Sequence, residues 1–71
     1  MHQVALEACV LIALYRCAGE WVSIEQIAAR LGVARERALA VCAELSTHAR
    51  VRHSVMEGHD MYASRIGKVQ A

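Results

Sequence analysis

Residues 23–45 constrain the fold of this 71-residue chain more than any other stretch. Apolar residues recur there at helical spacing, and Ser23 with Gln26 forms the Ser-x-x-Gln pattern that caps a helix N-terminus. Gly32 then permits a left-handed turn, and a second helix is predicted over residues 34–48. A short helix, a tight turn and a second helix are typical of a helix-turn-helix.

The same spacing predicts which faces of these two helices point inward and outward. Inward positions are Ile24, Ile27, Ala28 and Leu31 on the first helix, and Ala38, Cys42 and Leu45 on the second. The second helix then presents a polar and small-residue face to solvent, consisting of Arg35, Glu36, Arg37, Ala40 and Ala43, with Leu39 at its margin.

A hydrophobic helix is predicted before this pair, over residues 2–18, with Gly19 as its stop. Its apolar residues run nearly round the helix, which favours burial on all sides and, in a domain this small, contact with a second subunit. We therefore expect a homodimer with an interface formed by Leu6, Val10 and Leu14. The alternative is a central helix with a few exposed apolar side chains.

Two extended runs follow, over residues 51–56 and 59–64, and Glu57-Gly58 between them predicts a hairpin turn. In the first run Val51, His53 and Val55 alternate with polar or larger residues, so these three are expected to face the helices. Residues 21–22 offer a third strand, while Trp21 is expected to anchor the core between the first two helices.

The predicted fold is thus mainly α with a small β-hairpin: a winged helix-turn-helix of three helices plus a two- or three-stranded wing. Residues 1–65 are expected to form a single domain, and residues 66–71, which show no pattern, a frayed C-terminal tail.

Composition and motifs exclude several classes of function. The cysteines Cys9, Cys17 and Cys42 have no Cys-x-x-Cys or paired Cys/His spacing, which favours reduced thiols in the cytoplasm. No phosphate loop or catalytic motif is present, so we expect no enzyme activity, no cofactor and no metal site. The first apolar run is too short to span a bilayer.

The net charge is only +1, but basic residues concentrate after residue 49. Residues 1–49 carry four Arg and five Glu, which give a net charge of −1. Residues 50–71 carry four basic and two acidic residues, which give a net charge of +2. The basic character therefore falls on the predicted wing and tail.

Double-stranded DNA is the partner that this architecture favours, with the helix over residues 34–48 in the major groove. Arg35 and Arg37 occupy its first turns, where arginine recognises guanine, although both can instead serve only to solvate the helix. The wing is expected to contact the DNA backbone. The full predicted DNA-binding set is Arg35, Glu36, Arg37, Ala40, Arg50, Arg52, His53 and His59.

The small apolar residues on the outward face of the same helix favour a second interpretation. Alanines at positions 34, 40 and 43 leave few hydrogen-bonding groups there, so a monomer should bind DNA weakly. A dimer, a second factor or bent DNA is then needed for specificity. The alternative function is a protein-interaction module that binds a partner or itself through its first helix and the third-helix face.

The run from Glu7 to Leu45, extended to about Tyr62, resembles the winged helix-turn-helix domains of bacterial transcription regulators. Leu-x-x-Leu-Tyr on the first helix and the Trp-Val connector are similar to the CaiF/GrlA activators, chiefly at Leu11, Trp21, Val22 and Ile27. The resemblance implies a transcriptional regulator, with a regulatory protein as a further partner. The chain departs from common winged-helix patterns at Ala34, where a Ser or Thr cap is usual, and at Ala49, where Gly often starts the wing.

Overall fold

The computed structural model describes residues 2–65, which form three helices and a three-stranded antiparallel sheet. The coarse prediction of three helices followed by a hairpin is confirmed, whereas the predicted tail over residues 66–71 lies outside the described residues. In chain order the elements are α1 (Gln3–Arg16), β1 (Val22–Ser23), α2 (Ile24–Leu31), α3 (Arg35–Thr47), β2 (Val51–Met56) and β3 (His59–Ser64).

The start of α2 and the turn after it follow from local chemistry, as predicted. The Ser23 hydroxyl accepts a hydrogen bond from the Gln26 amide at 3.2 Å, and the Gln26 side chain accepts one from the Ser23 amide at 3.1 Å. Both bonds satisfy amides that a helix N-terminus leaves without partners. Gly32 ends the helix with φ of 67°, a conformation that glycine adopts without steric cost. The angle between α2 and α3 is therefore fixed locally.

Replacing Ser23 by Ala should lower the free energy of unfolding by about 1 kcal/mol, because the Gln26 amide loses its acceptor. Urea denaturation followed by circular dichroism measures the change. Ser23→Thr is the matched control, since threonine retains a hydroxyl acceptor. Equal losses in the two variants would show that the hydroxyl does not cap the helix.

Helix α1 is shorter than the predicted range at both ends. The His2 side chain caps its first turn, and the helix ends at Arg16. The amides of Cys17 and Ala18 bond to the carbonyls of Leu14 and Tyr15, which tightens the last turn. Ala18 already has φ of 55°, so the helix stops before Gly19 is reached.

The sheet has the order β1-β3-β2, with β3 in the centre. Val22 pairs with Tyr62, which confirms a third strand, although it covers residues 22–23 instead of 21–22. The β2–β3 hairpin has the predicted bounds, and its two turn residues, Glu57 and Gly58, have φ of 53° and 80°. Positive φ at both positions matches the right-handed twist of the strands and fixes their register.

The core lies between the three helices and one face of the sheet. Its members are small and branched side chains that pack closely, with Tyr62 as the largest. The buried cluster comprises Leu6, Val10, Leu14, Val22, Ile24, Ile27, Ala28, Ala38, Val41, Cys42, Leu45, Val51 and Tyr62. All inward positions predicted for α2 and α3 are buried, except that Leu31 is half-buried at the edge.

One prediction about α1 is wrong and another stays untested. Leu6, Val10 and Leu14, expected at a dimer interface, are at most 1 % exposed within the chain's own core. They cannot contact another subunit because α3 and the sheet already cover them. Val4, Ile12 and Tyr15 are between 52 % and 66 % exposed on the single chain, so burial of this helix on all sides, which was expected to involve a second subunit, stays a prediction.

The predicted inward face of β2 is correct only at its first residue. Val51 is buried, but His53 and Val55 on the same face are exposed. Toward its turn the hairpin projects beyond the helices. The side chains of β2 still alternate between the two faces there, but none of them is buried in the core. Within residues 2–65, no helix is both long and apolar enough to cross a membrane.

Candidate nucleic-acid interface

The exposed face of α3 is the one predicted from its spacing. Arg35, Glu36, Arg37, Ala40 and Ala43 are exposed, and Leu39 is half-buried at the margin. Both arginines lie in the first turn, where Ala34 provides no side-chain cap. This face therefore combines two cations with a smooth surface of small side chains.

An ion-pair cluster at the N-terminus of α3 joins it to two other elements. The Arg35 Nε donates a hydrogen bond of 2.8 Å to Glu25 Oε2, in the first turn of α2. The other oxygen of the same carboxylate lies 4.0 Å from the Nδ1 of His59, at the start of β3. Glu25 thus joins the first turns of α2 and α3 by a hydrogen bond, and His59, beside the hairpin turn, borders the same carboxylate.

The proton equilibria of this pair reflect the contact. The hydrogen bond from Arg35 holds the pKa of the Glu25 carboxyl below its ordinary value of 4.5, and the same bond raises the pKa of Arg35. Because the pKa of Glu25 is lower in the folded protein than its ordinary value, the pair stabilises the fold at pH values above that ordinary pKa. This contribution is lost as the pH falls through the lowered pKa.

An NMR titration of the Glu25 side-chain carboxyl should therefore give a midpoint below 4.5, and Arg35→Ala should move it upward. Arg30→Ala is the control, because Arg30 on the same helix hydrogen-bonds the Cys17 sulfur instead. A Glu25 midpoint that is the same with and without Arg35 would refute the contact.

His53 and His59, both predicted to contact DNA, differ in their surroundings. His59 is 63 % exposed beside Glu25. His53 stacks on Tyr62, with ring centroids 4.7 Å apart, and its Nε2 lies 2.9 Å from Asp60 Oδ1. His53 is therefore held against the hairpin, and His59 is the histidine beside Arg35.

Arg52 was expected to contact DNA, but the structure gives it a different role. Its Nε donates to the Ser64 carbonyl at 3.1 Å and one Nη donates to the Gly19 carbonyl at 2.6 Å. The guanidinium carbon also lies 4.9 Å from the centre of the Trp21 ring. Ala63 is the partner of Arg52 in the strand register, and its small side chain leaves room for the Arg52 side chain to pass over it. Arg52 thus fastens the α1–β1 loop to the sheet.

Trp21 is accordingly not the core anchor that the sequence suggested. It is half-buried, lies outside the core cluster and stacks beneath Arg52. Its buried neighbour Val22 fills the core position instead. Val22, and not Trp21, is therefore the residue of this connector that packs in the core.

Arg50 lies away from Arg35, contrary to the prediction that both belong to one DNA-binding set. It borders an apolar groove of about 480 Å³ together with Leu11, Ile12, Tyr15, Ser64 and Arg65. Val51 pairs with the last residue of β3, so Arg50 stands at the open end of the hairpin. His59 stands beside the turn at the other end.

Sequence reasoning missed Glu25, the residue that links Arg35 to the hairpin. Its only sequence signal is an acidic residue in the first turn of α2, which is common at helix N-termini.

Burial raises the pKa of the Cys42 thiol to about 12, so that thiol stays protonated. Cys9 and Cys17 are half-buried and, like Cys42, form no disulfide. Over residues 2–65, no three His, Cys, Asp or Glu side chains converge on a point that could hold a metal ion.

Comparison with known proteins does not assign this chain to a family. No family model matches it, and no curated protein is similar to it in sequence. The resemblance to CaiF/GrlA activators at Leu11, Trp21, Val22 and Ile27 therefore stays a prediction.

Proposed function

We propose that this protein is a DNA-binding transcriptional regulator with a winged helix-turn-helix, in which α3 enters the major groove and the β2–β3 hairpin is the wing. The observation that carries the proposal is the Arg35–Glu25–His59 cluster. It supports a single surface made from the start of the recognition helix and the wing, which is what this docking geometry requires.

The roles of the residues follow from their positions on this surface. Arg35 and Arg37 supply donors at the first turn of α3, suited to guanine edges or to phosphates. His59 at the wing is suited to a backbone phosphate when protonated. Ala40 and Ala43 permit close approach but offer no side-chain hydrogen bonds, so sequence discrimination rests on few contacts.

Equilibrium binding to short genomic duplexes over a range of salt concentrations tests the proposal. The affinity should fall as salt rises, with a log–log slope of about −0.9 for each phosphate that the protein neutralises. A few duplexes should bind more tightly than the rest. Affinity that does not depend on salt, or no binding to any duplex at low salt, would contradict DNA binding.

Glu25 is expected to weaken DNA binding, because its carboxylate competes with DNA for Arg35 and repels phosphates. Glu25→Gln should therefore raise the affinity roughly 1.5- to fivefold, as expected for one exposed charge contact. Glu7→Gln, on α1, removes the same charge outside the Arg35–Glu25–His59 cluster and is the matched control. Equal gains from both variants would show an effect of net charge alone.

A second candidate function is a protein-interaction module, favoured by the exposed apolar side chains of α1. Val4, Ile12 and Tyr15 project from the helix, and Ile12 and Tyr15 continue into the groove beside Arg50. Exposed apolar surface of this kind is typical of contacts with another protein or a second copy. Sedimentation equilibrium at increasing protein concentration tests self-association. A protein that stays monomeric at every concentration would count against an interaction with a second copy.

A further inference from the structure

The tip of the β2–β3 hairpin brings together three metal-ligating side chains that DNA binding does not use as a set. Met56, His59 and Met61 line a groove of about 520 Å³ together with Ser23, Glu25 and Glu57. Met56 is 36 % exposed, the His59 side chain is 63 % exposed and Met61 is half-buried. All three therefore border open space, and none belongs to the core.

The register of the hairpin places these side chains on one face. Met56 is directly opposite His59, and Met61 is two residues further along β3. Directly opposed residues have Cβ atoms about 4.5–5.5 Å apart, and residues two apart on a strand are separated by roughly 7 Å. Methionine has three rotatable bonds, so two thioethers and one imidazole can converge on a shared point. The tight Glu57-Gly58 turn holds this register.

The donor set selects a particular class of ion. Thioether sulfur is a soft ligand suited to monovalent copper, whereas Zn²⁺ prefers thiolate, imidazole and carboxylate, and Mg²⁺ prefers oxygen. The Nδ1 of His59 is the ring nitrogen on the side of Glu25, 4.0 Å from its Oε1, so Nε2 is the nitrogen on the far side from that carboxylate. The carboxylate of Glu57 at the rim adds a field that favours a cation, whereas the charge of Glu25 is offset by Arg35.

The geometry points to a binding site for a soft monovalent metal ion, Cu(I), formed by the sulfurs of Met56 and Met61 and the Nε2 of His59. The inference does not rest on the proposed function, because it uses only the hairpin register and the chemistry of the donors, although His59 belongs to both sites. Thioethers fall outside the His and Cys spacings on which the expectation of no metal site was based.

Anaerobic titration with Cu(I), in competition with a chromophoric Cu(I) chelator, tests the site. The titration uses the full chain carrying Cys9→Ser and Cys17→Ser, because those half-buried thiols would otherwise compete for copper. Circular dichroism confirms that this background is folded. One Cu(I) per chain should bind, and the methyl NMR signals of Met56 and Met61 should shift with it.

Met56→Leu with Met61→Leu removes both sulfurs while conserving volume, and it should weaken Cu(I) binding at least roughly tenfold. His59→Asn should also weaken binding, whereas His53→Asn should not, because His53 lies against Tyr62 and Asp60. Binding that is unchanged in the double methionine variant would overturn the site. The absence of any Cu(I) binding, or a preference for Zn²⁺, would do the same.

Discussion

Under the proposed function, replacing both Arg35 and Arg37 by Ala is expected to weaken DNA binding at least roughly tenfold, because the variant removes the cationic donors from the first turn of α3. The slope of affinity against salt should also become shallower by up to about two phosphate contacts. Fluorescence anisotropy with a labelled duplex measures both quantities. The fold should persist, since both side chains are exposed.

The matched control removes the same charge from residues outside the Arg35–Glu25–His59 cluster. Arg16→Ala with Arg50→Ala changes the α1 end and the open end of the hairpin, away from Glu25 and His59. This pair should cost much less affinity than the α3 pair. If both double variants lose the same affinity, attraction by net charge is sufficient and α3 has no special role.

Leu14→Ala is expected to lower the free energy of unfolding by about 2–5 kcal/mol, the usual range when a buried leucine is truncated and leaves a cavity. A domain of this size has a total stability of only roughly 4–10 kcal/mol, so a large fraction of the variant can be unfolded. Leu14 is 1 % exposed in the core of the single chain. The loss should therefore not depend on protein concentration.

Ile12→Ala is the comparison on the same helix, since Ile12 is 52 % exposed. In a monomer, Ile12→Ala should change the free energy of unfolding by no more than roughly 0.5 kcal/mol. Urea denaturation at two protein concentrations compares the variants. A loss of unfolding free energy from Leu14→Ala, relative to the unsubstituted protein, that differs between the two concentrations would place Leu14 at a subunit interface, against its position in the core.

Features that depend on a few neighbouring residues could be predicted from the sequence. The Ser23–Gln26 capping box, the left-handed Gly32 and the Glu57-Gly58 turn are each determined within a short window, and the structure contains all of them. The outward face of α3 followed from spacing because its inward residues repeat regularly. These local signals predicted the order of elements correctly.

Features that depend on contacts between distant parts of the chain could not be predicted. The apolar residues of α1 surround it, so spacing alone did not show that Leu6, Val10 and Leu14 face the core. Arg52 has its partners at Gly19 and Trp21, more than 30 residues earlier, and a basic strand residue by itself suggests solvent or phosphate.

The candidate site shows the same division. Arg35 and Arg37 were identified from their positions on α3, but the partner that holds Arg35 was not, because Glu25 lies on another helix. His59 joined the site only once the hairpin had been placed beside α2. Arg50 and Arg52 were assigned to the same surface from their charge and their place in the predicted wing. Arg50 lies at the open end of the hairpin, and Arg52 donates its hydrogen bonds to the carbonyls of Ser64 and Gly19.

The most direct test of the proposed DNA-binding surface is an NMR titration of the isotope-labelled protein with the tightest-binding duplex. The proposal predicts that amide shifts concentrate at Arg35, Arg37 and Ala40 on α3 and at His59 on the hairpin, with α1 unaffected. Shifts concentrated around Ile12 and Tyr15 on α1, with α3 silent, would contradict it.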